Sequence, residues 1–276
     1  MIKKIEGDSI MLKEEKELFL VSEFGERIND KDICKLSIQD LKDEDYKIII
    51  AHAINDTDPY KHTNIYKLKD KITDLSFLKI TSTDLIENQL NKDVFNNWFK
   101  RLISRLEEEI PELKNYPIGM KQKLINMVLK YIFCFTNEDE ECYFEFCHMP
   151  LDSYIYEDWF KNAVMQYCKN NNKNNFRYKK ELPDCWSKID NIDTYLWIQE
   201  TINNFIVKKS KSLFEQKLTP LQAEFYLWPF LKCRRAKTEL EKQYKKYYNS
   251  CLNSLKNDLY ISINNIINEE NKKQFV

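Results

Sequence analysis

The sequence predicts a mainly α-helical, multi-helix globular fold, built as one large domain or as two helical lobes. Two observations carry that expectation. Only three glycines and seven prolines occur among 276 residues, too few turn formers for a β-rich fold with its many tight reversals. Several long segments also repeat apolar residues at helical spacing, and 43% hydrophobic with 13% aromatic residues is ample for a packed core.

Taken in order, residues 1–90 read as an N-terminal lobe without an assigned role, 91–168 as a central core and 169–276 as a basic C-terminal helical region. In the first segment, Asp45 to Ile54 is a short apolar run whose period is ambiguous between strand and helix, and we read it as helix. Asn55 to Tyr60 follows as a turn, because Asn and Asp bond their own backbone and Pro59 blocks helix continuation. From Asn91, the residues Val94, Phe95, Trp98, Leu102, Leu106 and Ile110 mark an amphipathic helix that stops at Ile110-Pro111.

Pro117-Ile118-Gly119 then reads as a hinge into a second helix. Leu124, Val128, Tyr131 and Phe135 form its apolar stripe, and Lys123, Asn126 and Lys130 share a neighbouring polar stripe. This helix is expected to die in the acidic loop Thr136 to Glu141. After His148, Pro150-Leu151-Asp152 leads into a helix from about Ser153 to Cys168, with Ile155, Trp159, Phe160 and Val164 on its buried side. Further on, a helix spans Ile192 to Phe214. Another opens at Thr219-Pro220-Leu221-Gln222, a strong start signal of N-cap, first-turn proline and reciprocal Gln. Pro229 is expected to kink or end it.

Charge is unevenly distributed along the chain. Residues 1–160 hold 22 basic against 32 acidic side chains and residues 161–276 hold 21 against 12, so the two parts carry about −10 and +9. A basic segment in an otherwise neutral chain suggests a polyanionic partner, and equally fits a solvated helix. Residues 169–180 concentrate basic side chains with two aromatics, so Lys173, Arg177, Lys179 and Lys180 are candidate phosphate contacts, with Phe176 as a stacking ring. An Asn/Lys linker has the same composition. The eight cysteines show no regular spacing, and the N-terminus is charged rather than apolar. Reduced thiols in a cytoplasmic protein are therefore expected, with no membrane partner.

One stretch carries chemistry. Gly119-Met120-Lys121-Gln122-Lys123-Leu124-Ile125-Asn126, followed by Met149-Pro150-Leu151-Asp152-Ser153, resembles the core of the helix-hairpin-helix DNA glycosylase superfamily over about 40 residues. Members of that family place a glycine hairpin before a helix beginning Lys-x-x-Asn, then an apolar-Pro-apolar-Asp segment that starts the next helix. The resemblance implies Asp152 as catalytic carboxylate and Lys123 as the Schiff-base amine of bifunctional members, acting on a damaged or modified base in DNA. It implies Gly119, Lys121 and Lys130 near the DNA backbone, and by proximity in sequence Tyr154, Trp159 and Phe176 near an extruded base. No cofactor is called for. The chain has one glycine where the family usually has two, and a longer Lys-to-Asp separation.

The residue types suit that chemistry. Breaking an N-glycosidic bond builds positive charge on the sugar, which a carboxylate stabilises, and an unprotonated amine can capture the anomeric carbon. A lysine must first be brought down from its ordinary range by desolvation or by neighbouring cations such as Lys121. Simpler readings stand beside these. Asp152 after Pro150 is an ordinary helix N-cap, and Lys123 on a polar stripe is an ordinary solvated lysine. Cys134, Cys142, Cys147 and His148 could together close a zinc site, although no Cys-x-x-Cys knuckle is present, and buried thiols are the default. A non-catalytic helical module binding nucleic acid or protein is the alternative to an enzyme.

Overall fold

The computed structural model describes residue 16 and residues 36–58, 64–165, 182–214 and 217–233. Among them the elements are α1 (Asp43–Thr57), α2 (Asn64–Lys67), α3 (Lys69–Thr73), α4 (Ser82–Asn88), α5 (Lys92–Glu109), α6 (Ile118–Phe135), a π-helix (Ser153–Lys161), α7 (Ile192–Phe214) and α8 (Pro220–Cys233), with short 3-10 turns between several of them. The fold is mainly α. Its β pairing among the described residues is one isolated parallel bridge between Leu36 and Thr136. The chain divides into two units, the first comprising Met1–Tyr116 and Lys121–His148, the second Pro117–Met120 and Met149–Val276.

In the first unit, the ambiguous run after Asp45 is helical. Asp45 accepts the Lys42 amide at 2.8 Å, three acidic residues occupy the first turn, and both favour the positive end of a helix. Tyr46, Ile49, Ile50, Ala53 and Ile54 form its buried face. α4 starts with a reciprocal cap in which Asp84 N–H reaches Thr81 Oγ1 and Thr81 N–H reaches Asp84 Oδ2. α5 begins and ends where its sequence signals lie: Asn91 Oδ1 accepts from the Asp93 and Val94 amides, both at 3.0 Å, and Ile110 closes the helix before Pro111.

α6 departs from the amphipathic expectation. Every residue from Met120 to Cys134 is buried, and that run includes Lys121, Gln122, Lys123, Asn126 and Lys130. The helix therefore has an apolar and a polar face, but neither meets bulk water. Periodicity distinguishes faces only by composition and says nothing of what covers them.

The acidic segment after α6 is ordered rather than an open loop. It forms a 3-10 helix at Glu138–Phe144, capped by Asn137, and with Thr136 and Asn137 it meets Lys16, Leu36, Ser37 and Ile38. Lys16 Nζ donates to Thr136 O and to Glu141 Oε1, both at 2.8 Å, and lies 4.6 Å above the Phe133 ring. Glu140 accepts from Ser37 Oγ at 2.6 Å and from the Ile38 amide at 2.8 Å. The Asn137 amide reaches Leu36 O at 3.0 Å. The insert that lengthens the Lys123 to Asp152 separation thus serves as an internal docking turn.

In the second unit, the helix expected after Asp152 is present, but its first nine residues are π-helical, a widened geometry with i→i+5 bonds that is rare and clusters at functional sites. α7 spans the expected residues. α8 opens with the expected cap, in which the Thr219 amide reaches Gln222 Oε1 at 3.0 Å and the Gln222 amide reaches Thr219 Oγ1 at 3.2 Å. It runs past Pro229 to Cys233 instead of ending there. Leu227 and Leu231, fully buried on either side of that proline, anchor the helix by packing that offsets the lost backbone bond.

Candidate functional site

Asp152 is positioned from three directions within the second unit. Upstream, Gln199 on α7 holds the backbone of Met149 at both polar groups: its Oε1 accepts the Met149 amide at 3.1 Å and its Nε2 donates to the Met149 carbonyl at 2.8 Å. Met149 and Leu151 are fully buried, so the segment leading into Asp152 has a fixed path. Downstream, Asp152 is the N-cap of the π-helix and its Oδ1 accepts the Ile155 amide at 2.8 Å. From α8, Trp228 Nε1 donates to Asp152 Oδ2 at 2.8 Å.

Asp152 is half-buried, as are Tyr154 and Trp228. The rings of these two aromatics meet edge to face, with centroids 5.7 Å apart and planes at 78°. A carboxylate bordered by two partly exposed rings is suited to stabilise a developing cation beside a flat group. Of the expected base-pocket residues, Tyr154 lies in this cluster. Trp159 does not: it is fully buried and packs edge-on against Phe205, with centroids 5.5 Å apart. Phe176 lies outside the described residues, as do Lys173, Arg177, Lys179 and Lys180.

No protein-family model, no curated protein and no solved structure matches this chain. The site is therefore read from its own chemistry.

Lys123 belongs to the first unit and Asp152 to the second. Lys123 is 6% exposed within α6, not on a solvated stripe. One turn along, Asn126 Nδ2 donates to Gln122 Oε1 at 2.8 Å, both side chains being fully buried. Three residues expected at a DNA backbone are placed inward. Lys121 forms a short ion pair with Glu107, and Lys130 is 4% exposed, so neither ammonium faces a surface that phosphates reach in this conformation. The Gly119 amide, which a hairpin would offer to a phosphate, instead donates to Ile189 O at 2.7 Å.

The cysteine and histidine constellation does not assemble. Cys142 is exposed while Cys134 and Cys147 are buried, and among the described residues no group of three His, Cys, Asp or Glu side chains is arranged to hold a metal ion. His148 is instead a packing residue. Its Nε2 lies 2.9 Å from Asn96 Oδ1, and its ring sits between Phe95 and Phe99 at centroid distances of 4.9 and 4.8 Å. Burial, with a smaller contribution from nearby Lys92, pushes its pKa down to about 3. Cys147 beside it is pushed up by burial, partly offset by a bond from Gln89.

A buried neutral histidine makes folding pH-dependent with a definite sign. The unfolded chain takes up a proton near the ordinary pKa of about 6.5, while the folded chain resists it down to about 3. The contribution of His148 is thus complete above pH ~6.5 and is lost progressively as pH falls below it. Urea unfolding at a series of pH values from 7.5 to 4.5 should show wild-type stability falling more steeply than that of His148→Leu, by about 1 kcal/mol per pH unit at the acid end. Parallel slopes would mean that His148 is accessible to protons in the native state.

Trp228 and Gln199 are the site residues missed by sequence reasoning. Trp228 lies 76 positions from Asp152 and Gln199 lies 50 from Met149, with no local pattern linking either pair. The detectable signal was indirect: Trp228 sits on a helix whose start is strongly marked, and a tryptophan on such a helix carries a donor that is usually paired.

Proposed function

We propose that this chain is a DNA glycosylase whose catalytic carboxylate is Asp152. The observation carrying this reading is the placement of Asp152 itself: half-buried, at the N-terminus of a π-helix, fixed by two donors and bordered by Tyr154 and Trp228. As the C1′–N bond of a nucleotide breaks, its electron pair leaves with the base and the sugar becomes cationic. A fixed anion beside that carbon lowers the barrier without itself transferring a proton. Water then adds to C1′, and its proton passes to solvent or to the departing base. Tyr154 and Trp228 offer faces on which an extruded base stacks. Lys123 is the amine that the motif supplies for the covalent variant of this chemistry.

A second reading is a non-catalytic helical module for nucleic acid or protein. It is favoured by the inward placement of Gly119, Lys121 and Lys130, since groups committed to protein partners are not available to a DNA backbone.

The two readings separate on Asp152→Asn. The amide retains one oxygen able to cap the π-helix, removes the negative charge and turns an NH2 donor toward Trp228 Nε1, so a modest fall in melting temperature is expected. A glycosylase should lose base release by at least about 100-fold while the folded protein keeps a DNA affinity close to wild type. The substrates are duplexes and single strands carrying abasic, oxidised, alkylated and hypermodified bases, assayed with and without borohydride. A trapped adduct that disappears in Lys123→Ala assigns the amine as nucleophile, and base release without trapping assigns water. No release on any substrate leaves the binding module ahead.

A further inference from the structure

We propose that Trp228 is the positioning residue of Asp152, its indole N–H fixing the plane of the carboxylate through Oδ2. The proposal rests on the glycosylase reading above and adds to it a residue on a different helix. A carboxylate capping a helix is held at one oxygen only, and rotation about its terminal bond is soft. Here Oδ1 is held by the Ile155 amide and Oδ2 by Trp228 Nε1, both at 2.8 Å, so the plane has two fixed points on two separate elements.

The nature of the second donor matters. An indole N–H donates and never accepts, so it cannot exchange a proton with Asp152 as a tyrosine or serine hydroxyl could. Trp228 itself is half-buried. Its ring is kept in place by the edge contact with Tyr154 and by the burial of Leu227 and Leu231 on the same helix. Asp152 is thereby a carboxylate whose plane is set from two separate elements. That suits an electrostatic stabiliser better than a mobile base.

The test uses the full chain, with Trp228→Phe keeping an aromatic ring and removing the donor. Two measurements are paired. In the first, the Trp228 indole 1H–15N resonance is assigned by its loss in Trp228→Phe. It should lie downfield of the other tryptophan indoles, and should move upfield in Asp152→Ala but not in the exposed control Asp190→Asn. In the second, single-turnover base release at saturating DNA should fall about 10- to 100-fold in Trp228→Phe, with DNA affinity within about two-fold of wild type. A merely structural tryptophan would instead lower affinity and melting temperature together and leave the saturated chemical step intact. An indole resonance indifferent to Asp152, or wild-type release by Trp228→Phe, overturns the positioning role alone. A wild-type protein that releases no base from any DNA, while the indole still responds to Asp152, removes the glycosylase reading and with it any catalytic consequence of the bond.

Discussion

Replacing Gly119 by alanine should destabilise the protein severely, lowering its melting temperature by roughly 10 °C, a loss of about 3 kcal/mol or more. The sign is what makes the result informative, because glycine to alanine inside a helix ordinarily stabilises by about 1 kcal/mol. Here an added Cβ would fall inside the van der Waals shell of the Trp186 carbonyl oxygen, with Trp186 C at 2.9 Å and Ser187 Cα at 3.2 Å. Those are backbone atoms and have no rotamer to retreat into. The start of α6 would have to withdraw from the turn at Trp186–Lys188, and the 2.7 Å bond from the Gly119 amide to Ile189 O would stretch or break. Thermal melts followed by far-UV circular dichroism measure the effect. A variant as stable as wild type, with weakened DNA binding instead, would return Gly119 to the phosphate-binding role expected of a hairpin.

Lys16→Met should cost about 2 kcal/mol in urea unfolding. Methionine keeps most of the stem that packs over Phe133 but removes both bonds of the ammonium, leaving the Thr136 carbonyl and Glu141 without that donor. Lys16 is almost fully buried and its Glu141 partner has 17% of its side chain exposed, so the pair is less screened than a surface ion pair but not wholly shielded. Combining Lys16→Met with Glu141→Gln should recover part of the loss, with a coupling of about 1 kcal/mol in the double-mutant cycle. A change under about 0.5 kcal/mol for Lys16→Met would show that the docking turn is held by Glu140 and Asn137 alone.

What was legible in the sequence follows from the range over which each signal acts. The two ends of α5 are set by Asn91 and Pro111 and the start of α8 by Thr219 and Gln222, residues that act on backbone within four positions, so these limits are legible locally. The π-helical turns after Asp152 were read only as helix, since the apolar spacing of Ile155, Trp159 and Phe160 fits both windings. Lys123, Asn126 and Lys130 fall on a polar stripe because composition separates faces, yet all three are buried. Asp152 was found because Pro-Leu-Asp before an apolar run is a local pattern. Its partners were not, because Trp228 and Gln199 reach that segment through tertiary packing alone.

The division of the chain has a practical consequence for assigning activity to either part. Met1–Tyr116 and Lys121–His148 make one unit, while Pro117–Met120 and Met149–Val276 make the other, so each is interrupted by the other in sequence. The opening turn of α6 belongs to one and the remainder of that helix to the other. A fragment ending at residue 148 keeps all of the first unit but carries four residues of the second, and a fragment starting at 149 lacks those four, Gly119 among them. Loss of activity or folding in the fragment starting at 149 would therefore report an incomplete unit, not a located function. Single side-chain changes in the intact chain are the means by which this protein can be dissected.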